Sequence, residues 1–212
     1  MITDIEQQIE QSIAYKKEIL NNRALIRQIA VAAEMLSRAF ANGKKLLLFG
    51  NGGSASDAQH IAAEMVGRFR FHRKPLPALA LATNSSIVTA IGNDYDFRSI
   101  FERQVEALAG PGDVVAGISA SGNSENVLRG LAAARGKRAF AVGLLGNNGG
   151  KILSHCDLAL VVPGMDTPRI QEAHMMIGHI ICDLVEKRLF QNEAGKKAHE
   201  YFNYGSRGLY RT

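Results

Sequence analysis

The chain has 212 residues, 46% of them hydrophobic and 21% charged, with a net charge of +5 at pH 7. This profile predicts a single globular domain over residues 1–212 that handles an anionic metabolite, and the lack of a dense Lys/Arg run argues against nucleic acid as a partner. No apolar run reaches the roughly 20 residues that span a bilayer, and the N-terminus lacks the order of a signal peptide, so we expect a cytoplasmic protein without a membrane partner.

Residues 1–42 carry two amphipathic helical patterns. The first places Ile2, Ile5, Ile9 and Ile13 at helical spacing, and a second pattern follows from Leu25 onward. Such an apolar stripe is either a core face or a subunit interface. We therefore expect residues 1–42 to be a helical oligomerisation segment.

Residues 43–190 alternate between short apolar runs and helical patterns. Strands are predicted near 45–49, 78–82, 113–118, 138–144 and 157–162, and helices near 54–67, 85–92, 98–108, 123–134 and 167–190. Continuous apolar strands between helices indicate a parallel sheet that is covered on both faces. The predicted fold is α/β, a three-layer αβα sandwich with a five-stranded parallel sheet of the flavodoxin-like type.

The tail, residues 191–212, differs from the core because four aromatic side chains and four of the basic ones are concentrated in it. Two interpretations stay open at this point. The tail is either a short helix with a frayed terminus or an arm that docks on a neighbouring subunit.

Two small-residue loops are the strongest functional signal. Residues 50–56 (Gly-Asn-Gly-Gly-Ser-Ala-Ser) and 119–124 (Ser-Ala-Ser-Gly-Asn-Ser) each follow a predicted strand and precede a predicted helix. Glycines let backbone N–H groups approach an oxyanion, serines add hydroxyl donors, and a helix N-terminus favours negative charge. Two such loops suggest a sugar phosphate that is held by its phosphate group.

Two polar clusters could supply chemistry. His60 and Glu64 lie four residues apart, on one helical face and about 6 Å apart along the axis. Such a pair can hold zinc or transfer protons, although it is also common on solvated faces. On the last predicted helix, His174 and His179 point in different directions, so only one of them can join a given site.

Taken together, four motifs resemble the SIS (sugar isomerase) domain. They are Gly50–His60, Ala90–Asp94, Ile118–Ser124 and Arg169–His174. The loops alone match the wider superfamily, whereas His60, Glu64, Gln171 and His179 narrow the resemblance to the phosphoheptose isomerases. It covers roughly residues 1–190.

The resemblance implies a homotetramer with sites between subunits, and the interconversion of sedoheptulose 7-phosphate and D-glycero-D-manno-heptose 7-phosphate through an enediol. The product would enter the synthesis of nucleotide-activated heptose for lipopolysaccharide or other surface glycans. Glu64 and His179 match the family's acid–base pair. One zinc ion per subunit would be held by His60, Glu64, Gln171 and His179. The implied substrate-binding residues are Asn51, Gly52, Gly53, Ser54, Glu64, Asn93, Asp94, Ser119, Ala120, Ser121, Ser124 and Gln171.

Some features depart from the implied pattern. Ala120 occupies a position often taken by threonine, and the tail is longer than in the shorter members. A carboxylate bound to zinc is a weak base. Gln171 and His179 lie about 12 Å apart along a regular helix, so an irregular helix or a second subunit would have to bring them to one ion.

Two other functions remain open. A non-catalytic SIS-domain regulator that binds the replication initiator protein has a similar fold, and another SIS enzyme or sugar-phosphate sensor would use the same loops. The presence of Glu64 and His179 favours the isomerase over the regulator, and the cluster at 171–179 argues against the other enzyme or sensor.

Overall fold

The structure is a computed structural model that describes the backbone of residues 1–70 and 72–205, and side chains as far as Gln191. The chain begins with two helices, α1 (Ile2–Asn21) and α2 (Arg23–Ala41). Asn22 separates them, because its side chain accepts a hydrogen bond from the Leu25 N–H and caps the start of α2.

Five parallel strands form one sheet: β1 (Leu46–Gly50), β2 (Ala78–Ala80), β3 (Val114–Ser119), β4 (Phe140–Leu145) and β5 (Leu158–Val161). Their order across the sheet is β2-β1-β3-β4-β5. In this order β1 lies between β2 and β3, and Gly50 at the end of β1 pairs in register with Ile118 near the end of β3.

Five further helices cover the sheet: α3 (Gly53–Val66), α4 (Ser85–Asp94), α5 (Glu102–Leu108), α6 (Glu125–Gly136) and α7 (Thr167–Gly205). Successive side chains of a strand point to opposite faces of the sheet, so each strand contributes side chains to the hydrophobic cores on both faces. Leu46 and Leu48 join the core beneath α2, α3 and α7. Leu47 and Phe49 join the core beneath α5 and α6.

The predicted three-layer fold with a five-stranded parallel sheet and preceding helices is confirmed. The structure differs at two helices. The helix predicted at 98–108 is a 3-10 turn at Phe97–Ser99 followed by α5. The helix predicted to end at residue 190 continues to Gly205, because no proline interrupts it.

The longer helix α7 includes most of the predicted tail. Residues 191–205 continue α7, while residues 206–212 lie outside the part of the chain that the structure describes, so the proposed docking arm remains a prediction. Within the described residues, no helix has both the length and the apolar content to cross a membrane.

Candidate functional site

The strand order creates a crevice at one edge of the sheet. After β1 the chain moves to β2 on one side, and it then returns to β3 on the other side of β1. Ligands of open α/β sheets bind at such a switch point, outside the carboxyl ends of the strands. Both small-residue loops leave the sheet here, since one follows β1 and the other follows β3.

Two glycines shape the first loop, one through close packing and the other through its positive φ. A Cβ atom on Gly50 would lie 2.7 Å from the Cβ of Ser54 and 2.9 Å from the carbonyl oxygen of Ile118. Gly52 has a left-handed φ of 54° and immediately precedes α3. The backbone therefore packs closely against β3, and the loop leads directly into the positive end of a helix dipole.

The second loop brings three serine hydroxyls together. The Oγ of Ser119 lies 3.1 Å from the Oγ of Ser124 and 3.5 Å from the Oγ of Ser121. Ser124 is the N-cap residue of α6, and its side chain makes no capping hydrogen bond. Hydroxyl donors at a helix N-terminus form a cradle that suits a phosphate.

A pair of side-chain amides joins the first loop to the start of α6. The Asn51 Nδ2 donates to Oδ1 of Asn126 at 2.8 Å, and the Asn126 Nδ2 donates back to Oδ1 of Asn51 at 2.9 Å. Asn126 is only 4% exposed. Because both amides are satisfied by each other, the first loop is fixed relative to the start of α6.

His60 and Glu64 of α3 meet His179 of α7. The Nε2 of His60 lies 3.3 Å from the Nε2 of His179 and 3.3 Å from Oε1 of Glu64. All three ligand atoms lie within 4.8 Å of one another. The structure thus brings together three of the four residues expected to hold a metal.

Two of the three separations between these ligand atoms fit zinc. In a tetrahedral site with bonds of about 2.0–2.1 Å, neighbouring ligand atoms lie roughly 3.3–3.5 Å apart, and imidazole and carboxylate are ligands that zinc accepts. The two 3.3 Å separations match that spacing. Three protein ligands would leave a fourth position for Gln171, for water or for substrate.

Gln171 lies against the first loop. A Cβ atom on Gly53 would be 2.6 Å from the Nε2 of Gln171. The helix α7 is α-helical through Gln171 and His179, so an irregular turn does not bring the two side chains together. Both line one open cleft of about 890 Å³.

Ser121, Asn93 and Asp94 do not line this cleft. Ser121 lines a separate cavity of about 470 Å³ together with Asn147 and Asn148. Asn93 and Asp94 are exposed at the end of α4, where the Asn93 amide donates to the Asp94 carboxylate at 2.8 Å. Their contact with substrate remains a prediction.

Asp57 is a site residue that the sequence reasoning missed. It lines the 890 Å³ cleft, and burial raises the pKa of its carboxyl to about 6, with His60 acting in the opposite direction. The signal that could have found it is its position three residues before His60, one turn earlier on the same face of α3.

Comparison with known proteins decides the family. The SIS domain family model matches residues 8–146. The chain is 54% identical over 186 residues to the phosphoheptose isomerase of Clostridium acetobutylicum, covering 88% of this chain and 95% of that one. It is 57% identical over 192 residues to that of Geobacter sulfurreducens, covering 90% of this chain and all of the relative. The chain belongs to the phosphoheptose isomerase family of SIS-domain proteins.

Solved structures of the family agree with this assignment. The phosphoheptose isomerase from Neisseria gonorrhoeae superposes with a TM-score of 0.83 at 41% identity, over 88% of this chain and all of that chain. The one from Francisella tularensis gives 0.84 at 36% identity, over 88% of this chain and 98% of that chain. The predicted family and the predicted enzyme class, an isomerase, are confirmed.

Proposed function

We propose that the protein interconverts sedoheptulose 7-phosphate and D-glycero-D-manno-heptose 7-phosphate through an enediol. The product would enter nucleotide-activated heptose synthesis for lipopolysaccharide or other surface glycans. The observation that carries the proposal is the cluster of His60 and Glu64, on the helix that follows the first small-residue loop, with His179 of α7. The names of the relatives support the same substrate class.

The phosphate end of the substrate would be held at the serine loop. Ser119, Ser121 and Ser124 supply hydroxyl donors, and the N-terminus of α6 adds its dipole. At Ala120 the backbone N–H can still donate, although a side-chain hydroxyl is absent. We propose that Asn51, Gly52, Gly53, Ser54, Asn93, Asp94 and Gln171 contact the rest of the sugar.

Proton transfer would take place at the cluster. We propose that Glu64 removes the proton from the carbon beside the carbonyl, and that His179 acts as its acid partner. A carboxylate that faces a cation is a weaker base, so one oxygen of Glu64 would face the ion and the other would accept the proton. Oε1 lies beside His60, and the second oxygen would face the substrate.

Zinc is proposed as the cofactor, one per subunit, held by His60, Glu64, Gln171 and His179. Bound there, the ion would stabilise negative charge on the enediolate oxygens. The chain's own part is to place imidazole and carboxylate atoms at the separations that a tetrahedral ion requires.

Assembly into a homotetramer is also part of the proposal. Along α1, Ile2, Ile5, Ile9 and Ile13 expose between 44% and 71% of their surface. Four exposed isoleucines on one helical face are typical of a subunit contact.

The proposed organisation is a single domain over 1–212, with an oligomerisation segment at 1–42, a core at 43–190 and a tail at 191–212. Because a sugar phosphate is charged and does not cross membranes, we place the enzyme in the cytoplasm.

The deciding experiment follows sedoheptulose 7-phosphate by NMR in the presence of zinc, and again after treatment with a chelator. We expect the aldose phosphate to form, and we expect the chelator to stop its formation. The absence of conversion with any metal would contradict the proposal and would favour the regulator that binds a replication initiator, for which a pull-down is the next test.

A further inference from the structure

Three side chains on one face of α7 contact the segment that follows α3, here called the post-α3 segment (residues 67–70 and 72–75). His179 stacks on the ring of Phe69, with centroids 5.5 Å apart and an interplanar angle of 25°. Four residues further along, Asp183 pairs with Arg70 at 2.8 Å. Three residues beyond that, Glu186 contacts the same segment. These spacings place all three on one stripe of the helix.

Glu186 is the buried end of this stripe. Its carboxylate accepts hydrogen bonds from the backbone N–H groups of Phe69 at 2.8 Å and Arg70 at 2.7 Å. It also pairs with the Nε of Arg73 at 2.8 Å, and both side chains are only 1% exposed. A fully buried charge pair of this kind fixes the backbone of the post-α3 segment on α7.

Arg73 carries the connection back to α3. Its Nη2 donates to the carbonyl oxygen of Glu64 at 2.8 Å, and its Nη1 donates to that of Met65 at 2.8 Å. The last carbonyls of a helix have no partner within it, and a cation there also complements the helix dipole. The ion pair therefore links two helices: Arg73 binds the end of α3, which carries His60 and Glu64, and Glu186 belongs to α7, which carries His179.

We propose that the Arg73–Glu186 ion pair positions the site, because it sets the distance between His179 and the His60–Glu64 pair and presses Phe69 against the His179 ring. The expected effect on catalysis rests on the proposed function, whereas the placement of His179 by the ion pair does not depend on it. Replacing a buried ion pair by uncharged groups is often neutral or stabilising, so this pair is better explained by geometry than by stability.

The test compares Glu186→Gln with Asp113→Asn. Asp113 is a matched control, because its carboxylate also accepts two backbone N–H bonds, from Lys45 and Gly110, and pairs with one cation, Lys45. It precedes β3, at the opposite edge of the sheet from the loops. Turnover of sedoheptulose 7-phosphate and zinc affinity are measured for both variants.

We expect Glu186→Gln to lower kcat by about tenfold to 100-fold while KM changes less than about threefold. Zinc affinity should fall by roughly 10-fold to 100-fold, as it does when groups that orient metal ligands are removed. Asp113→Asn should leave kcat, KM and zinc affinity near the wild-type values. Equal effects of the two variants would overturn the proposal.

A double variant separates positioning from folding. Arg73→Gln together with Glu186→Gln leaves no uncompensated buried charge, so thermal stability should recover relative to Glu186→Gln alone. A glutamine at position 73 cannot replace both bonds that Arg73 donates to the carbonyls of Glu64 and Met65, so kcat should remain low. A double variant that recovers kcat together with stability would show that the ion pair acts on folding alone.

A further readout needs no activity. With ¹³C-labelled histidine, the His179 ring signal is assigned by its loss in His179→Gln, and the stacked Phe69 ring should shift it to lower frequency. That shift should disappear in Glu186→Gln and persist in Asp113→Asn, and its persistence in Glu186→Gln would contradict the inference. A wild-type protein without turnover would refute the proposed function, whereas this comparison would still decide the role of the ion pair.

Discussion

At the scale of single residues, the catalytic hypothesis depends on the carboxylate of Glu64. The change Glu64→Gln keeps the size of the side chain but removes the base, so kcat should fall by about 10²–10⁴-fold. The measurement is the initial rate of conversion of sedoheptulose 7-phosphate, with thermal unfolding as the check on folding.

Glu172→Gln is the matched control, because Glu172 lines the same cleft but lies outside the His60–Glu64–His179 cluster. Its rate should stay close to that of the wild type. A Glu64→Gln variant with retained turnover would remove Glu64 from the role of base.

His174 predicts a pH dependence of stability. It is fully buried on α7, and burial lowers the pKa of its imidazole from 6.5 to about 4. Between these values the unfolded chain binds a proton that the folded chain excludes, so stability is lost as the pH falls from about 6.5 to about 4. At 1.36 kcal/mol per pKa unit, the full loss is about 3 kcal/mol.

Denaturant unfolding of the wild type and of His174→Leu across this pH range isolates the effect. The difference in unfolding free energy between the two proteins should shift in favour of the variant as the pH falls. A difference that stays constant from pH 7 to pH 4 would show that His174 does not titrate in this way.

At the scale of elements, the second loop requires glycine at position 122. Gly122 has a φ of 68°, and a Cβ atom there would lie 2.4 Å from the backbone of Gly149. Gly122→Ala should therefore lower Tm and raise KM, because the loop that carries Ser121 and Ser124 must move.

Gly136→Ala offers the comparison, since no atom lies within 4 Å of the added Cβ and Gly136 has no left-handed φ. Its stability should be unchanged or raised by about 0.4–1 kcal/mol. Calorimetry gives the Tm of both variants, and substrate titration gives their KM. A Gly122→Ala protein with wild-type Tm and KM would show that a Cβ atom at position 122 does not strain the loop.

The elements that sequence patterns predicted well are those with a continuous local signal. The strands around Leu47 and Val115 are apolar on both faces, as expected for a sheet covered on both sides, and their positions were confirmed within one or two residues. The end of α7 was predicted too early. The change in composition after residue 190 suggested a boundary, but composition alone does not stop a helix.

The site was predictable only in part. The spacing of His60 and Glu64 is visible in the sequence because both lie on one helix. Their contact with His179, 119 residues from His60, depends on how α7 crosses α3, and only the family resemblance indicated it. Arg73 and Glu186 were missed because a charged residue next to apolar ones gives no sign of a partner 113 residues away.

At the scale of the whole molecule, a substitution in the exposed isoleucine stripe of α1 tests the proposed homotetramer. Ile9→Glu places a charge within the apolar face formed with Ile5 and Ile13, where burial against another subunit would be costly. We expect the variant to sediment as a smaller species than the wild type.

Gln7→Glu introduces the same charge on the opposite side of α1, and it should leave the sedimentation coefficient unchanged. Analytical ultracentrifugation at a matched concentration compares the two variants. Identical behaviour of both would separate this stripe from the subunit contact.

The position of α7 at the end of the fold has a consequence for synthesis on the ribosome. Both small-residue loops emerge before α7, the helix that carries His179 and Glu186 and that covers one face of the sheet with Ile170, Ile177 and Val185. A nascent chain released before α7 would carry both loops but would leave that apolar face open to proteases and chaperones. Only a chain translated through α7 closes this core, so we expect a product that ends before α7 to be degraded.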